Sequence, residues 1–551
     1  MRRNWFWPAV TILLAFMALC MGNAALEESQ TFDEAVHLVA GFSYWTRGDY
    51  RLNEEHPPLS KLLGAAPLLF TQTSLPEREA DWKAADQLAL SHAFLYRNRL
   101  SAGTMLFLGR LTAVTITLCL GLAIAVWTRR RVSAAAGVLA LVFLATDANF
   151  LAHGHYVTSD VLSALTFFLA AVTWAEYLES GKRSHLICAT FALGAALASK
   201  YSALYLIPVH LLLFLIYGRQ KRRLLPVLVG AVLILGITYA PETLRSFEKG
   251  PLSEHINLDI PAGVKARALA EQLKLPAHPY LVGMWRLFSH NEEGQQSYLL
   301  GQIRREGDWR YFPVAFAVKT PTGLLILTAM SLAAIPWRRW SPVQAAFVLY
   351  PMIYFAWCLN SRLNIGHRHI LPIYLFLFVG VSAVFLTWWR PRWPRLATAV
   401  LIGAVALQAA ELARVHPYYL AFFNTAAGGP RNGPRYLLDS NIDWGQDLAR
   451  LKAWMERNKL DSVCLSYFGM ADLEYYGIRE YSLLNMTAQD RKEFGCVAAV
   501  SQNNLYDLYH PPGTHAWARE MTPFGHIGYS ILLYDLRQDR SVPFIGLSDW
   551  R

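Results

Sequence analysis

The chain has 551 residues, 54% of them hydrophobic and only 17% charged, with a mean hydropathy of +0.23. Soluble proteins average roughly 45–50% apolar and about 25% charged residues, so this composition excludes a disordered or fibrous chain and points to an integral membrane protein. Six Cys with no CxxC or Cys/His ligand spacing exclude a disulfide scaffold and structural zinc, and a formal charge of +11 leaves open where the excess bases lie.

A membrane-crossing helix takes about 20 mostly apolar residues. That ruler places eleven, at 6–25, 104–127, 133–151, 160–178, 184–199, 201–218, 224–241, 313–336, 342–359, 370–389 and 396–413. Lys and Arg of short loops stay on the cytoplasmic side. Arg2 and Arg3 precede the first stretch, Arg129–Arg131 follow the second, and Lys182 and Arg183 the fourth. Arg219 and Lys221–Arg223 follow the sixth, Arg338 and Arg339 the eighth, and Arg390, Arg392 and Arg395 the tenth. Each cluster falls at the N-terminus or after an even-numbered stretch. The expected fold is therefore a polytopic α-helical membrane protein with about 11 transmembrane helices, its N-terminus cytoplasmic and its C-terminus extracytoplasmic, with a prokaryotic plasma membrane as the expected setting. The clusters hold 16 of the 51 Lys and Arg, so the positive charge reads as a topology signal and no nucleic-acid partner is expected. Gly22-Asn23-Ala24 is also a passable cleavage site, which would make the first stretch a signal peptide.

Two units follow: a transmembrane module over 1–413, with outer loops 26–103 and 242–312, and a small outward-facing α/β domain over 414–551. In the latter, Asp443–Asn458 has helical period, and Val463–Phe468, Cys496–Val500 and Ile527–Tyr534 read as strands. Cys464 and Cys496 are a disulfide or two buried thiols.

Unusual polar residues collect on the expected outer side. Thr31-Phe32-Asp33-Glu34 opens the first outer loop, and the spacing of Phe32, Val36, Val39 and Trp45 predicts a helix along the interface, carrying an adjacent carboxylate pair. Glu54-Glu55-His56-Pro57-Pro58-Leu59-Ser60-Lys61 sets both charge signs on backbone that proline stiffens. Burying an ionisable residue in lipid costs at least about 2.5 kcal/mol, which singles out Arg110 in the second stretch and Lys319 in the eighth. Thr320-Pro321 should break the helix beside Lys319. Two cations at similar depth suit a lipid phosphate; snorkelling to the interface is the competing account. Three outer turns complete the set: His153 to Asp160, Lys200, and Asn364-Ile365-Gly366-His367-Arg368-His369. Two His-x-His pairs without a placed third ligand do not make a metal site, and no metal is expected. A nucleotide-binding glycine loop, a GxSxG elbow and HExxH are all absent.

Taken together these landmarks resemble the lipid-phosphate-sugar-dependent membrane glycosyltransferases of GT-C architecture, the family of protein O-mannosyltransferases and the lipid A aminoarabinose transferase. The residues that carry the resemblance are Asp33-Glu34, His56-Pro57-Pro58-Leu59-x-Lys61, Leu108-Gly109-Arg110-Leu111, Ala152-His153-Gly154 through Asp160, Ser199-Lys200-Tyr201 and Lys319-Thr320-Pro321. Asn364 to His369, His416 to Asn424, Gly428-Gly429-Pro430 and Asp439 to Asp447 extend it to about residue 450. The 242–312 loop is too short for the β-trefoil of eukaryotic protein O-mannosyltransferases, so the acceptor stays open among glycan, lipid and protein.

The resemblance implies an inverting transfer from a polyprenyl-phosphate-linked sugar to a hydroxyl, outside the membrane. It places Asp33, Glu34 and Asp160 in catalysis, with Asp33 as general base. Glu55, His56, Lys61, Arg110, Lys200, Lys319, His367 and Arg368 are the candidates for holding the lipid phosphate and sugar. Two rival readings are a transporter or flippase for lipid-linked sugars, which would bind near the bilayer midplane between repeated halves, and a non-catalytic scaffold that binds the carrier lipid. One-sided polar residues and the absence of corresponding halves favour the enzyme.

Overall fold

The computed structural model describes residues 5–218, 223–249, 277–334, 340–487, 489–490, 495–537 and 544. Arg2, Arg3, Arg219, Lys221, Arg222, Arg338 and Arg339 of the basic clusters lie outside these residues. The eleven apolar stretches are mainly helical over their described parts, with breaks at Thr146-Asp147 in the third and at Thr320-Pro321 in the eighth. Among the described residues, Phe6–Glu27, Ala102–Arg131, Asp160–Ser180, His367–Arg392 and Pro394–Val415 are long and apolar enough to cross a membrane. Several others, such as Ala134–Ala145 and Pro342–Cys358, are shorter apolar helices. Their starts are set locally. Ser101 and Ser133 accept hydrogen bonds from backbone N–H groups of the first turn, and Ser341 with Gln344 forms a capping box. Ile12, Phe16 and Leu19 leave apolar surface outward on the first helix, as expected for a lipid-facing wall. The molecule is a multi-pass integral membrane protein.

The helix predicted to break at Thr320-Pro321 does so. Tyr311–Lys319 and Thr322–Ala333 meet at 113°. Pro321 has no N–H to continue the ladder, and the freed groups are recovered from outside the helix. The Thr322 N–H and hydroxyl donate to Glu411 at 3.0 and 2.6 Å, and Asn424 Nδ2 donates to the carbonyls of Ala317 and Thr320 at 2.7 Å each. This is how irregular backbone survives at membrane depth.

The first long loop folds inward. Its helix Glu34–Arg47 is buried along Glu34–Tyr44. The helix Leu59–Ala65 packs so close that a Cβ on Gly41 would lie 2.0 Å from the Lys61 carbonyl oxygen. In the second long loop, residues 250–276 lie outside the described part. The helix His278–Glu293 and an antiparallel hairpin of β1 (Ser297–Leu299) and β2 (Gln302–Arg304) follow it. Leu300 and Gly301 both have positive φ in the two-residue turn.

The C-terminal region builds a five-stranded sheet from β3 (Ser462–Ser466), β4 (Arg479–Ser482), β5 (Val497–Ser501), β6 (Gly525–Ile527) and β7 (Ile531–Asp535). Their order is β4-β3-β5-β7-β6, with β3 parallel to β4 and β5, and β7 antiparallel to β5 and β6. The exposed edge strand β4 carries no burial pattern to announce it, and the run expected as one strand over Ile527–Tyr534 folds back on itself at a tight turn. Cys464 and Cys496 are disulfide-bonded. Ser466 Oγ, His515 and Asp507 form a buried hydrogen-bonded row, 2.9 Å per step, that ties the 507–515 loop to the sheet. The amphipathic helix is Leu448–Arg457, five residues shorter at its start than its periodicity predicts. Residues 443–447 instead strap this region to the first long loop. Ser29 N donates to the Gln446 carbonyl and Phe32 N to that of Trp444, both at 3.0 Å. Arg450 reaches Glu28 at 3.3 Å and Asp447 at 2.6 Å.

Candidate active site

A cavity of about 780 Å³ lies where the two long loops, the turns before Asp160 and Arg368, and the C-terminal region converge. Its floor is an ion-paired chain. Asp160 is the first residue of the helix Asp160–Ser180; Lys200 Nζ meets its Oδ1 at 2.5 Å and Arg368 its Oδ2 at 3.6 Å. The same Arg368 NH1 donates to Asp33 Oδ2 at 3.1 Å. The guanidinium stacks over the Trp444 ring at 4.1 Å. Buried though it is, Arg368 Nε has no hydrogen-bond partner among the described residues, and neither has His369 Nε2 on the cavity wall.

Asp33 occupies the N-cap position of the helix Glu34–Arg47, but its side chain makes no capping bond and faces the cavity instead. Burial raises its pKa against the pull of Arg368. Next to it, Glu34 points the other way. Arg110 clasps its two oxygens at 2.9 and 2.6 Å, and the Thr31 and Val157 N–H groups donate to it. The clasp fixes the helix start and so the place of Asp33. Glu55 and His56 also line the cavity, and burial among cations holds the His56 imidazole neutral.

Five sequence candidates stay out of the cavity, and each for a stated reason. Glu34 is wholly engaged as above and does not line the cavity. Arg110 gives its remaining N–H groups to the carbonyls of Ala25, Glu28 and Ser29 at 2.8–2.9 Å, so all five donors are used and none is left for a lipid phosphate. Lys61 donates to Tyr44 Oη and to the carbonyls of Asn53 and His56 at 2.6–2.8 Å, shaping the loop that presents Glu55 and His56. Lys319 donates to the carbonyls of Leu420 and Asn441 at 2.9 and 2.7 Å, holding the broken helix against the C-terminal region. The imidazole of His367 meets Tyr374 Oη at 2.6 Å.

Other groups in the cavity were not singled out by sequence. Asp439 and Trp444 sit in the run Asp439 to Asp447, and His369 ends the Asn364 to His369 turn. Arg286, His290 and Glu293 recur at i, i+4 and i+7 on one face of the helix His278–Glu293, a spacing legible in the sequence. Arg286 also meets Glu54 at 2.8 Å. Phe468 and Tyr509 carry no local signal; the sheet brings them in. Among the described residues no group of three His, Cys, Asp or Glu is arranged to hold a metal ion.

In sequence, residues 93–241 match the family model for dolichyl-phosphate-mannose-protein mannosyltransferases. No curated protein matches the chain. In fold it is similar to the crystal structure of ArnT from Cupriavidus metallidurans bound to undecaprenyl phosphate, with a TM-score of 0.51 and 12% identity over 98% of this chain and 100% of that one. The apo state of the same ArnT gives 0.47 and 13%, over 95% and 97% of the two chains. The S. cerevisiae protein O-mannosyltransferase Pmt1–Pmt2 complex bound to the sugar donor gives 0.32 and 18%, over 45% and 34%. Residues 93–241, which include Asp160 and Lys200, are thus similar in sequence to that mannosyltransferase family, and the chain as a whole shares the polytopic membrane fold of the ArnT structure.

Proposed function

We propose that this protein transfers a sugar, with inversion, from a polyprenyl-phosphate carrier to an acceptor hydroxyl on the outer side of the membrane. The observation that carries the reading is Arg368, which lies between Asp33 and the Asp160–Lys200 pair with a buried, unpartnered Nε. A carrier phosphate supplies the missing acceptor for that N–H and for His369 Nε2. Lys200 and Arg368 then balance the charge that builds on the leaving phosphate, in a site where fixed cations act more strongly than in water. His56, held neutral, donates a hydrogen bond without adding charge.

In the step itself the acceptor oxygen attacks the anomeric carbon from the face opposite the phosphate. The new C–O bond forms as the anomeric C–O–phosphate bond breaks. The acceptor proton passes to Asp33, and the bond pair leaves with the polyprenyl phosphate. Burial raises the Asp33 pKa, which makes it a stronger base than a free carboxylate. Asp160 stays ionised as the anchor of Lys200 and Arg368. Lys61, Arg110 and Lys319 serve as positioning residues.

Reconstitution with a polyprenyl-phosphate sugar tests the reading. Asp33→Asn is expected to lower turnover at least about 100-fold, the lower range for losing a general base, while carrier-lipid binding persists. Equal turnover by both proteins would remove Asp33 as base, and failure of the wild type to bind any carrier lipid would remove the reading as a whole.

A further inference from the structure

Part of the cavity wall lies outside the set of residues assigned above to the donor. Asp439, Tyr509, Gln295, His290 and Glu293 line it, and they come from three segments far apart in sequence. The turn Asp439–Asn441 presents Asp439 at φ +59°, a backbone that Asp tolerates better than most residues. Its N–H is tied to Asn503 Oδ1 at 2.7 Å, and the neighbouring Ser440 hydroxyl to the Ile365 carbonyl at 2.6 Å. The Tyr509 hydroxyl donates to Asp439, and the Gln295 side chain lines the same wall. Gln295 Oε1 in turn lies 3.3 Å from His290 Nε2. The polar pairs Tyr509–Asp439 and Gln295–His290 thus share one wall, between the C-terminal region and the helix His278–Glu293.

The chemistry of this wall differs from that of the floor. Among the described residues, none of these five groups forms an ion pair. A phosphate or carboxylate placed here meets two carboxylates among these five groups, whereas a hydroxyl meets carboxylate, amide, phenol and imidazole partners together. Beside them, Phe468 is stacked between Phe32 (5.7 Å, 15°) and Tyr509 (5.5 Å, 12°). The three rings form a rigid apolar strip next to these polar pairs. Close-set hydroxyl partners beside an aromatic strip match a sugar ring, which has a hydroxyl-studded rim and an apolar C–H face.

We propose that Asp439, Tyr509 and Gln295 form the acceptor subsite, and that the acceptor held there is a polyhydroxylated glycan. Asp439 accepts a hydrogen bond from one acceptor hydroxyl and thereby aims its neighbour at Asp33. The inference rests on the donor and base assignments made above, and it gives the C-terminal region a direct part in substrate binding.

The test measures saccharide binding to the full chain in nanodiscs with polyprenyl phosphate present, using a set of hexose and N-acetylhexosamine tetrasaccharides and a Ser/Thr-rich peptide. Transfer and acceptor-free hydrolysis of the donor are followed in parallel. At least one tetrasaccharide is expected to bind and the peptide not to. Asp439→Asn and Gln295→Ala should each weaken saccharide binding roughly tenfold, the range for losing a hydrogen bond to a charged group, with carrier binding and donor hydrolysis within about twofold of wild type. Tyr509→Phe serves as a further variant should one of these fail to fold. Binding of the peptide with no saccharide bound would overturn the proposal, as would unaltered saccharide affinity in the variants that fold. A saccharide affinity lost in Asp439→Asn but kept in an Asp33→Asn protein that still turns over would sink the assigned base and leave the acceptor subsite standing.

Discussion

Arg110 and Glu34 make a fully buried ion pair, 1% and 0% exposed at the side chain, and every N–H of the guanidinium is used inside the protein. Removing one partner strands the other charge without water, a loss of about 3–5 kcal/mol. Glu34→Gln is therefore expected to lower the thermal unfolding midpoint strongly, while Asp33→Asn, one residue away, leaves it nearly unchanged. Similar midpoints for the two variants would contradict the clasp. Asp439 gives a different readout. Burial raises its pKa to about 6, opposed by the Tyr509 hydrogen bond and by Arg368, with Asp33 adding to the rise; Tyr311 and Asp443 also face it. As pH falls through about 6 the carboxylate gains a proton and becomes a poorer acceptor, so the KM for a saccharide acceptor should climb. In Asp439→Asn the KM should be flat over the same range. A flat wild-type profile between pH 5 and 8 would count against Asp439 as the acceptor's partner. Asp33, Glu55, His56, Asp160, Lys200 and Arg368 were legible because each sits in a short polar run, either next to an apolar stretch or, for Glu55 and His56, beside the paired prolines of the first outer loop. Glu34, Lys61, Arg110, Lys319 and His367 stand in equally conspicuous runs, and only the fold shows that internal partners consume them.

Elements show the same division. Apolar stretches of about 20 residues announce helices directly, and Pro321 announces a break, because both follow from backbone hydrogen bonding alone. The inward turn of Glu34–Arg47 was not legible: its apolar spacing suits an interface as well as a core, and only contact with Leu59–Ala65 decides. Gly41 records that contact. Gly41→Ala places a methyl 2.0 Å from the Lys61 carbonyl oxygen and must spread the two helices, a cost of about 1–3 kcal/mol. A lower unfolding midpoint is expected, together with reduced turnover, since Asp33 and His56, just ahead of the two helices, line the cavity. An unaltered midpoint would show that the helices have room to part. The helix His278–Glu293 lay hidden within a long polar loop, although the spacing of Arg286, His290 and Glu293 was there to be read.

For the whole molecule the basic clusters make the sharpest forecast. With the chain inserted as they direct, the sheet lies outside and the loop after the second span inside. In a protein lacking the exposed Cys119 and Cys188, a cysteine in place of Glu480 on the edge strand should react with an impermeant maleimide in intact cells. One in place of Arg130 should react only after lysis. The reverse pattern would invert the topology and place the active site on the wrong side for the proposed acceptor. The strap over 443–450 makes the C-terminal region part of the site wall: it is pinned by backbone bonds to residues 29 and 32, at the edge of the helix that carries Asp33.

By itself the sequence determined that the chain crosses a membrane many times, where its helices run, on which side its bases should lie, and which short polar runs to suspect. These follow from hydropathy, backbone hydrogen bonding and charge, all of which act over a few residues. The tertiary structure decided which of the suspected charges are spent on one another, which remain open to a cavity, and that Asp439 and Tyr509 complete its wall from 400 residues or more beyond Asp33. A buried charge takes its meaning from the partner that neutralises it, and for Arg110 and Asp33 alike that partner is brought close only by packing.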